Sequence, residues 1–173
     1  MASIADIVNH YIVAGTSHFG GQPQTADDWL ADWGPTQDRY PWLVAERDGV
    51  VGGIAYAKPW NVRAAYGWTA ETTIYLCHGL GGQGIGTALY RRLLELLEAQ
   101  GYRLALAVIA LPNDASVALH ERFGYRPAGR FDRVGFKLGV WRDVGYWQRP
   151  LGSGEGAPGV IRSVSDVEGE APG

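Results

Sequence analysis

The sequence has very little of several features that identify other classes of protein. It contains one cysteine, Cys77, so no intrachain disulfide can form, and we expect a protein of a reducing, cytoplasmic compartment. Its 15 basic residues are outnumbered by 18 acidic ones, and the net charge of −3 argues against a nucleic-acid partner. No run of about 20 apolar residues is present, and the N-terminus lacks a signal-peptide pattern. We therefore expect no membrane span and no leader.

Metal-binding patterns are also missing. The histidines His10, His18 and His78 have no carboxylate or cysteine partners at metal-ligand spacing. We predict no metal site.

The pattern that is present is that of one mixed α/β domain over residues 1–150, followed by a polar tail over 151–173. The tail is rich in Gly, Ser, Glu and Pro, which is typical of disorder. Asp48-Gly49 is a two-residue hairpin turn, and Thr25 with Asp28 resembles a helix start. Periodicity predicts helices at 2–14, 25–33, 85–100 and 112–123, and strands at 40–46, 50–57, 68–76, 104–110, 125–130, 134–137 and 143–149.

A glycine-rich loop separates the strand at 68–76 from the helix at 85–100. Gly79, Gly81 and Gly84 spell GxGxxG, but no carboxylate follows about 20 residues later, as a dinucleotide-binding turn requires. Gly86-Thr87 lacks the lysine of a nucleotide-triphosphate loop. The remaining interpretation is general: a glycine-rich turn before a helix N-terminus favours an anion, here a pyrophosphate, over a merely flexible surface loop.

The rest of the chain resembles the GNAT superfamily of N-acetyltransferases, and within it the phosphinothricin and methionine sulfoximine acetyltransferases. The resemblance extends over residues from about 5 to 150, and the stretches that carry it are IVNHYI (7–12), RYPWLVAE (39–46), GIAYA (53–57), PW-x-x-R-x-AY (59–66), ETTIY (71–75), GQGIGTALY (82–90), LEAQGY (97–102), AVIALPND (107–114), LHERFGY (119–125) and WRDVGYWQ (141–148). The resemblance implies a central, mostly antiparallel mixed sheet flanked by helices. The strand that usually precedes the first helix is missing, so we expect either an exposed edge of the sheet or a true start upstream.

The resemblance also implies the ligands and the cofactor contacts. The co-substrate is acetyl-CoA, the acceptor is a small amino-acid-like amine, and the active form is a homodimer. The CoA pyrophosphate is expected on the loop Gln83, Gly84, Ile85, Gly86, Thr87 and Ala88. The pantetheine arm is expected beside Tyr75, Leu76 and Cys77, with a further contact from Asn113.

The catalytic residues follow from the same resemblance and from the chemistry. An ammonium has no lone pair, so amine acetylation needs a base, and Glu71 matches the family's glutamate. The competing explanation for Glu71 is a surface-facing strand glutamate in a cross-strand pair. His120 is expected to protonate the departing thiolate or to serve in a proton relay. Backbone N–H groups of Ile74, Tyr75 and Leu76 are expected to stabilise the oxyanion. Cys77 has no paired base nearby in sequence, so we interpret it as a small residue beside pantetheine and not as a nucleophile.

The acceptor site is expected to include Phe19, Tyr56, Arg63, Tyr66 and Tyr90, with Arg63 binding a carboxylate or phosphinate. Core packing is the competing explanation for Tyr90, as a solvated loop position is for Arg63 and packing under the following strand is for His120. Two positions depart from the family pattern: Gly81 replaces a Gln or Arg, and Asn61 replaces a Lys or Arg. The second departure leaves open another acceptor amine, and a non-catalytic acyl-CoA-binding module is the alternative from another class.

Overall fold

The computed structural model describes residues 1–152 and 156–169 and contains one six-stranded sheet in the order β1-β2-β3-β4-β6-β5. The strands are Trp42–Arg47 (β1), Val50–Pro59 (β2), Thr69–Leu76 (β3), Leu104–Leu111 (β4), Arg126–Lys137 (β5) and Val140–Pro150 (β6). The helices are Ala2–Ala14 (α1), Ala26–Trp33 (α2), Ile85–Gln100 (α3), Asp114–Arg122 (α4) and Val164–Glu168 (α5), with 3₁₀ turns at Gly34–Thr36 and Ala64–Tyr66. Within these residues, no helix combines the length and apolar character that crossing a membrane requires.

Local sequence explains most element boundaries. Thr25 and Asp28 form a reciprocal capping box at the start of α2, as their spacing predicts. Asp48 and Gly49 both have positive φ, which suits the tight turn between β1 and β2. Gly101 ends α3 in the left-handed conformation, where a residue without Cβ is least strained.

The two faces of the sheet bury different helices. Alternation along β2 sends Ile54 and Tyr56 toward α1 and α2, whereas Ala55 and Ala57 pack in the core beneath α3. Lys58 follows Tyr56 by two residues and therefore lies on the α1/α2 face. Any side chain of the site can thus be assigned to one face or the other.

The strands β3 and β4 run parallel but pair over only three positions, Thr69–Leu104, Ala70–Ala105 and Glu71–Leu106. β3 continues to Leu76 and β4 to Leu111, and their described residues make no further pairs with each other. The two strands therefore diverge immediately after Glu71, and an opening forms within the sheet.

Two of the predictions for the later strands differ from the structure. The strands expected at 125–130 and 134–137 are one strand, β5, interrupted by register shifts at 127–129 and 131–135. β6 begins at Val140 and not near 143, because Leu138 and Gly139 form the turn with positive φ. The irregular pairing hides the alternation on which the prediction depends.

The tail also differs from the expectation of disorder. Residues 156–169 include α5, whose Ser163–Asp166 capping box and buried Val167 fix it against α3. Buried Gln100 donates to the Arg162 carbonyl, and the Trp68 indole donates to the Gly159 carbonyl. Composition predicted disorder because it averages over the segment and overlooks a few docking residues. The tail residues 153–155 and 170–173 lie outside the described residues.

Candidate active site

The opening between β3 and β4 is a cavity of about 360 Å³. Sequence-predicted residues in its lining are Ile74, Tyr75, Leu76, Cys77, Asn113 and His120, and unpredicted ones include Tyr11, Ser17 and Val108. The structure therefore brings the expected thioester strand, the α4 start and His120 around one cleft.

Backbone donors in this cleft come from alternate residues of β3. The Cys77 N–H donates to the Gly52 carbonyl of β2 at 2.8 Å. Because backbone groups alternate sides along a strand, the Tyr75 N–H also points toward β2, whereas those of Ile74 and Leu76 point toward the opening. The expected oxyanion donors are corrected accordingly: Ile74 and Leu76 can serve, and the Tyr75 N–H is used within the sheet.

Tyr11 is a cleft residue that the sequence analysis missed. Its hydroxyl donates to the Leu76 carbonyl at 2.7 Å, and burial raises its pKa. The contact ties α1 to the last residue of β3. Its sequence separation of 65 residues leaves no local signal for it.

The glycine loop ends at an uncapped helix. Gly84 is the N-cap of α3, has a φ of 84°, and has no side chain to cap the first N–H groups. The first bond within the helix is from Ala88 N–H to the Gly84 carbonyl at 3.0 Å. The N–H groups of Ile85, Gly86 and Thr87 are therefore available to an anion, as predicted for a phosphate site.

Gly81 is not required by the backbone. It is absent from the positive-φ glycines, and a Cβ added there would meet no atom of the described chain within 4 Å. A Cβ added at Gly82 or Gly84 would likewise meet no atom within 4 Å, but both of these glycines have positive φ. A larger residue at position 81 would point into open space beside the loop, so the departure from the family pattern is a loss of side chain without a change of backbone.

Glu71 occupies the last paired position before the strands diverge. Its register partner on β2 is Lys58, and the Lys58 ammonium lies 2.9 Å from the Glu71 carboxylate. The Glu71 side chain is 16% exposed and that of Lys58 46% exposed, so the pair lies on the α1/α2 face at the border of solvent. Lys58 was not among the predicted site residues, because a lysine near a strand end resembles an ordinary surface residue.

His120 is almost fully buried beside the cleft. Its Nδ1 lies 2.7 Å from the Ser116 carbonyl oxygen, which can only accept, so Nδ1 carries the proton. Nε2 then has a lone pair and no partner among the described residues. Burial lowers the pKa of His120, opposed by the bond to Ser116. The ring is therefore neutral at pH 7, which favours the relay role expected of it over that of a standing acid.

Asn113 has a structural function in addition to its place in the cleft. Its side-chain oxygen accepts a hydrogen bond from Ser116 N–H at 3.2 Å and caps α4. It also lines the cavity. The cap orients the first turn of the helix that carries His120.

Tyr90 is not an acceptor-site residue. It is fully buried on the α3 side of the sheet, and its hydroxyl lies 2.6 Å from Thr72 Oγ1 and 3.2 Å from the Tyr125 hydroxyl. Burial raises the pKa of both tyrosines, that of Tyr125 to about 12. Glu71 projects to the opposite face, so the prediction for Tyr90 is wrong and its core-packing alternative holds.

The other predicted acceptor residues lie in two places. Tyr56 is 7% exposed on the Glu71 face, and Phe19 covers Gly135 of β5 from the α1–α2 loop. Arg63 and Tyr66 are exposed on the β2–β3 connection and do not line the β3–β4 cleft. Asn61 accepts a hydrogen bond from Arg63 N–H at 3.0 Å, which shapes the turn between them.

A second cavity, of about 520 Å³, lies under the α1–α2 loop on the Glu71 face. Lys58, Tyr56 and Trp42 contribute from the strands, and His18, Trp29 and Asp32 from the helical side. No group of three His, Cys, Asp or Glu residues suited to a metal ion occurs in 1–152 or 156–169.

Comparison with known proteins identifies the family. The model of the acetyltransferase (GNAT) family matches residues 5–125. A phosphinothricin N-acetyltransferase of Streptomyces viridochromogenes is 54% identical over 167 residues, which cover 96% of this chain and 91% of that protein. An L-methionine sulfoximine/L-methionine sulfone acetyltransferase of Salmonella typhimurium is 30% identical, covering 87% of this chain and 88% of its own.

The fold agrees with solved structures. A phosphinothricin acetyltransferase from Sinorhizobium meliloti, solved in complex with acetyl-CoA, has a TM-score of 0.83 and 34% identity, with coverage of 91% of this chain and 86% of its own. The divergent β3–β4 pair, the glycine loop and the uncapped α3 thus occur in a chain that matches this family over most of its length. This protein belongs to the GNAT family of N-acetyltransferases, whose acetyl donor is acetyl-CoA.

Proposed function

We propose that the protein acetylates the α-amine of a small amino-acid-like acceptor, with phosphinothricin or methionine sulfoximine as the favoured substrate and detoxification as its role. The observation that carries the proposal is the position of Glu71. It is the last residue of β3 that pairs with β4, it directly precedes Thr72 and Thr73 of the cleft lining, and its carboxylate pairs with Lys58. The substrates named for the relatives of this chain supply the acceptor class.

The cofactor contacts are proposed from the groups that the fold leaves free. The backbone of Gln83–Ala88 receives the CoA pyrophosphate, because the α3 N-terminus has uncapped N–H donors and room beside its glycines. The free backbone edge of β3 at Ile74 and Leu76 receives the pantetheine arm, beside Cys77. Asn113 borders the same cavity from the α4 side.

The chemistry then uses this chain's residues in sequence. Glu71 accepts a proton from the acceptor ammonium, directly or through water, and the freed amine attacks the thioester carbon. The N–H groups of Ile74 and Leu76 donate to the oxygen that gains negative charge. The attacking nitrogen gives up its second proton as the carbon–sulfur bond breaks, and the departing thiolate takes up a proton. We assign this transfer to Nε2 of His120, whose lone pair accepts the proton from nitrogen and passes it to sulfur.

We further propose that the protein acts as a cytoplasmic homodimer. The β5–β6 hairpin exposes several large apolar side chains, among them Phe136 at 62% and Trp141 at 50%. Exposed apolar surface of this kind marks protein–protein contacts. Free Cys77 fits a reducing compartment. Light scattering of the purified protein measures the oligomeric state, and a monomer at micromolar concentration contradicts the dimer.

The function is tested by thiol release from acetyl-CoA with a panel of amine acceptors. We expect turnover with phosphinothricin or methionine sulfoximine. Turnover only with another amine would reject the acceptor and keep the reaction. CoA binding without turnover of any amine would favour the non-catalytic module.

A further inference from the structure

The cavity under the α1–α2 loop adjoins the proposed base without being part of the β3–β4 cleft. Its wall includes Lys58, whose ammonium contacts the Glu71 carboxylate at 2.9 Å. Glu71 lines neither cavity itself, but it directly precedes Thr72 and Thr73 of the cleft lining and pairs with Lys58 of the second cavity, so it lies between the two. A molecule whose amine lies at Glu71 can extend its other end into the cavity.

The floor of the cavity is aromatic. The Trp42 and Tyr56 rings lie 4.6 Å apart, and Trp29 packs edge-on against both at 5.7 and 6.0 Å. Trp29 is 3% exposed, and neither its Nε1–H nor that of Trp42 has a hydrogen-bond partner among the described residues. Buried N–H donors are normally paired, so a ligand that brings an oxygen acceptor and a small apolar group suits this floor.

The charges around the cavity single out Lys58. Among the described residues that line it, Lys58 is the one lysine or arginine. His18 is neutral, because its Nδ1 accepts from Gly20 N–H at 2.9 Å and burial lowers its pKa. Lys137 is held at the His18 carbonyl oxygen outside the lining. Asp32 supplies the opposite charge at the helical side.

We propose that this cavity receives the distal, anionic end of the acceptor and that Lys58 is the residue that binds it. A zwitterionic acceptor replaces the Lys58–Glu71 ion pair with two new ones, its ammonium on Glu71 and its distal anion on Lys58. The family pattern has a Lys or Arg at the position that Asn61 occupies in this chain. Lys58 thereby supplies the cation that Asn61 lacks. This inference rests on the proposed function and specifies the acceptor class of the same site.

The experiment compares two acceptors that share an α-carboxylate and differ in distal charge. Phosphinothricin has an anionic phosphinate, whereas methionine sulfone is neutral at that end. Lys58→Met removes the proposed cation, while the acceptor ammonium still has Glu71 as its partner. The ratio of kcat/KM for phosphinothricin to that for methionine sulfone falls about tenfold, mainly through KM. Lys58→Arg restores the ratio to within about threefold of wild type.

The control is Arg47→Met, which removes an exposed cation on β1 far from the cavity and leaves the ratio unchanged. An unchanged ratio in Lys58→Met overturns the assignment, as does an equal rise in KM for both acceptors, which would place the α-carboxylate on Lys58. If wild type acetylates neither acceptor, the proposed function fails. Calorimetric titration of phosphinothricin then tests Lys58 alone: weaker binding by Lys58→Met supports the assignment, and equal or absent binding overturns it.

Discussion

Thr72 Oγ1 donates a hydrogen bond to the Leu106 carbonyl oxygen at 3.0 Å, one residue beyond the last backbone pair of β3 and β4. Because the Thr72 hydroxyl proton is used in this bond, Oγ1 accepts hydrogen bonds from the Tyr90 and Tyr125 hydroxyls, at 2.6 and 2.9 Å. The Thr72 side chain thus links the two strands at the point where their backbone pairing ends, and it fixes the apex of the cleft.

Removing this hydroxyl should cost stability. We expect Thr72→Val to lower the free energy of unfolding by about 2 to 3 kcal/mol, because it removes three buried hydrogen bonds and leaves the Tyr90 and Tyr125 hydroxyls only each other as partners. Urea denaturation measures the loss. Thr72→Ser keeps the hydroxyl and should recover most of it, whereas Thr69→Val on the same strand should change little. Equal losses in Thr72→Val and Thr69→Val would contradict the junction role.

Tyr90→Phe separates the core role of this residue from the substrate role that the sequence predicted. We expect a loss of about 1 to 2 kcal/mol in the free energy of unfolding, since the phenol is buried and hydrogen-bonded. The KM for the acceptor should stay within about twofold of wild type. A large rise in acceptor KM with unchanged stability would return Tyr90 to the acceptor site.

The sequence could predict features that local pattern determines, and it could not predict those set by distant packing. The capping box of Thr25 and the stop at Gly101 depend on a few neighbouring residues, and both are confirmed. Tyr90 lies next to Leu89 on the broad apolar face of α3, where spacing alone does not separate core from pocket. Lys58 became a site residue only when register placed it opposite Glu71.

The tail shows the same limit, although the local sequence does contain a signal for its helix. Ser163 and Asp166 have the spacing of a capping box, and Val164 and Val167 have helical spacing. The prediction of disorder depended on the composition of the whole segment and took no account of these four residues. The buried partner that completes the docking, Gln100, is 62 residues away from Arg162 and could not be identified locally.

Glycines of the loop should respond differently to substitution. We expect Gly84→Ala to lower stability by about 1 kcal/mol and to weaken CoA binding, because its φ of 84° is strained for any residue with a Cβ. Gly81→Gln should leave stability unchanged, since the added side chain meets open space. Thermal unfolding and calorimetric titration of CoA measure both effects. A stable, tightly binding Gly84→Ala would contradict the account of the loop.

Stability should depend on pH through His120. Burial lowers its pKa in the folded protein, so the unfolded chain takes up a proton near pH 6.5 that the native state does not. The free energy of unfolding should therefore fall as pH drops below about 6.5 and level off only below the folded pKa. His18 has a lowered pKa as well and contributes in the same direction.

His120→Asn keeps a donor for the Ser116 carbonyl and removes the titration. We expect a smaller loss of stability between pH 7.5 and 5.5 than in wild type, measured by urea unfolding at each pH. Exposed His78→Asn is the matched control and should keep the wild-type slope. If the His120 variant keeps that slope too, the buried neutral imidazole is not its source.

The proposed role of Glu71 as the base for amine acetylation is measured most directly by the initial rate of thiol release by Glu71→Gln. The rate is followed from pH 6 to 9 with saturating acetyl-CoA and phosphinothricin. Glu46→Gln on exposed β1 serves as the control. We predict that Glu71→Gln loses about 100-fold or more in kcat near neutral pH and regains part of it as rising pH deprotonates the amine in solution. Wild-type rates in Glu71→Gln at every pH would contradict the account.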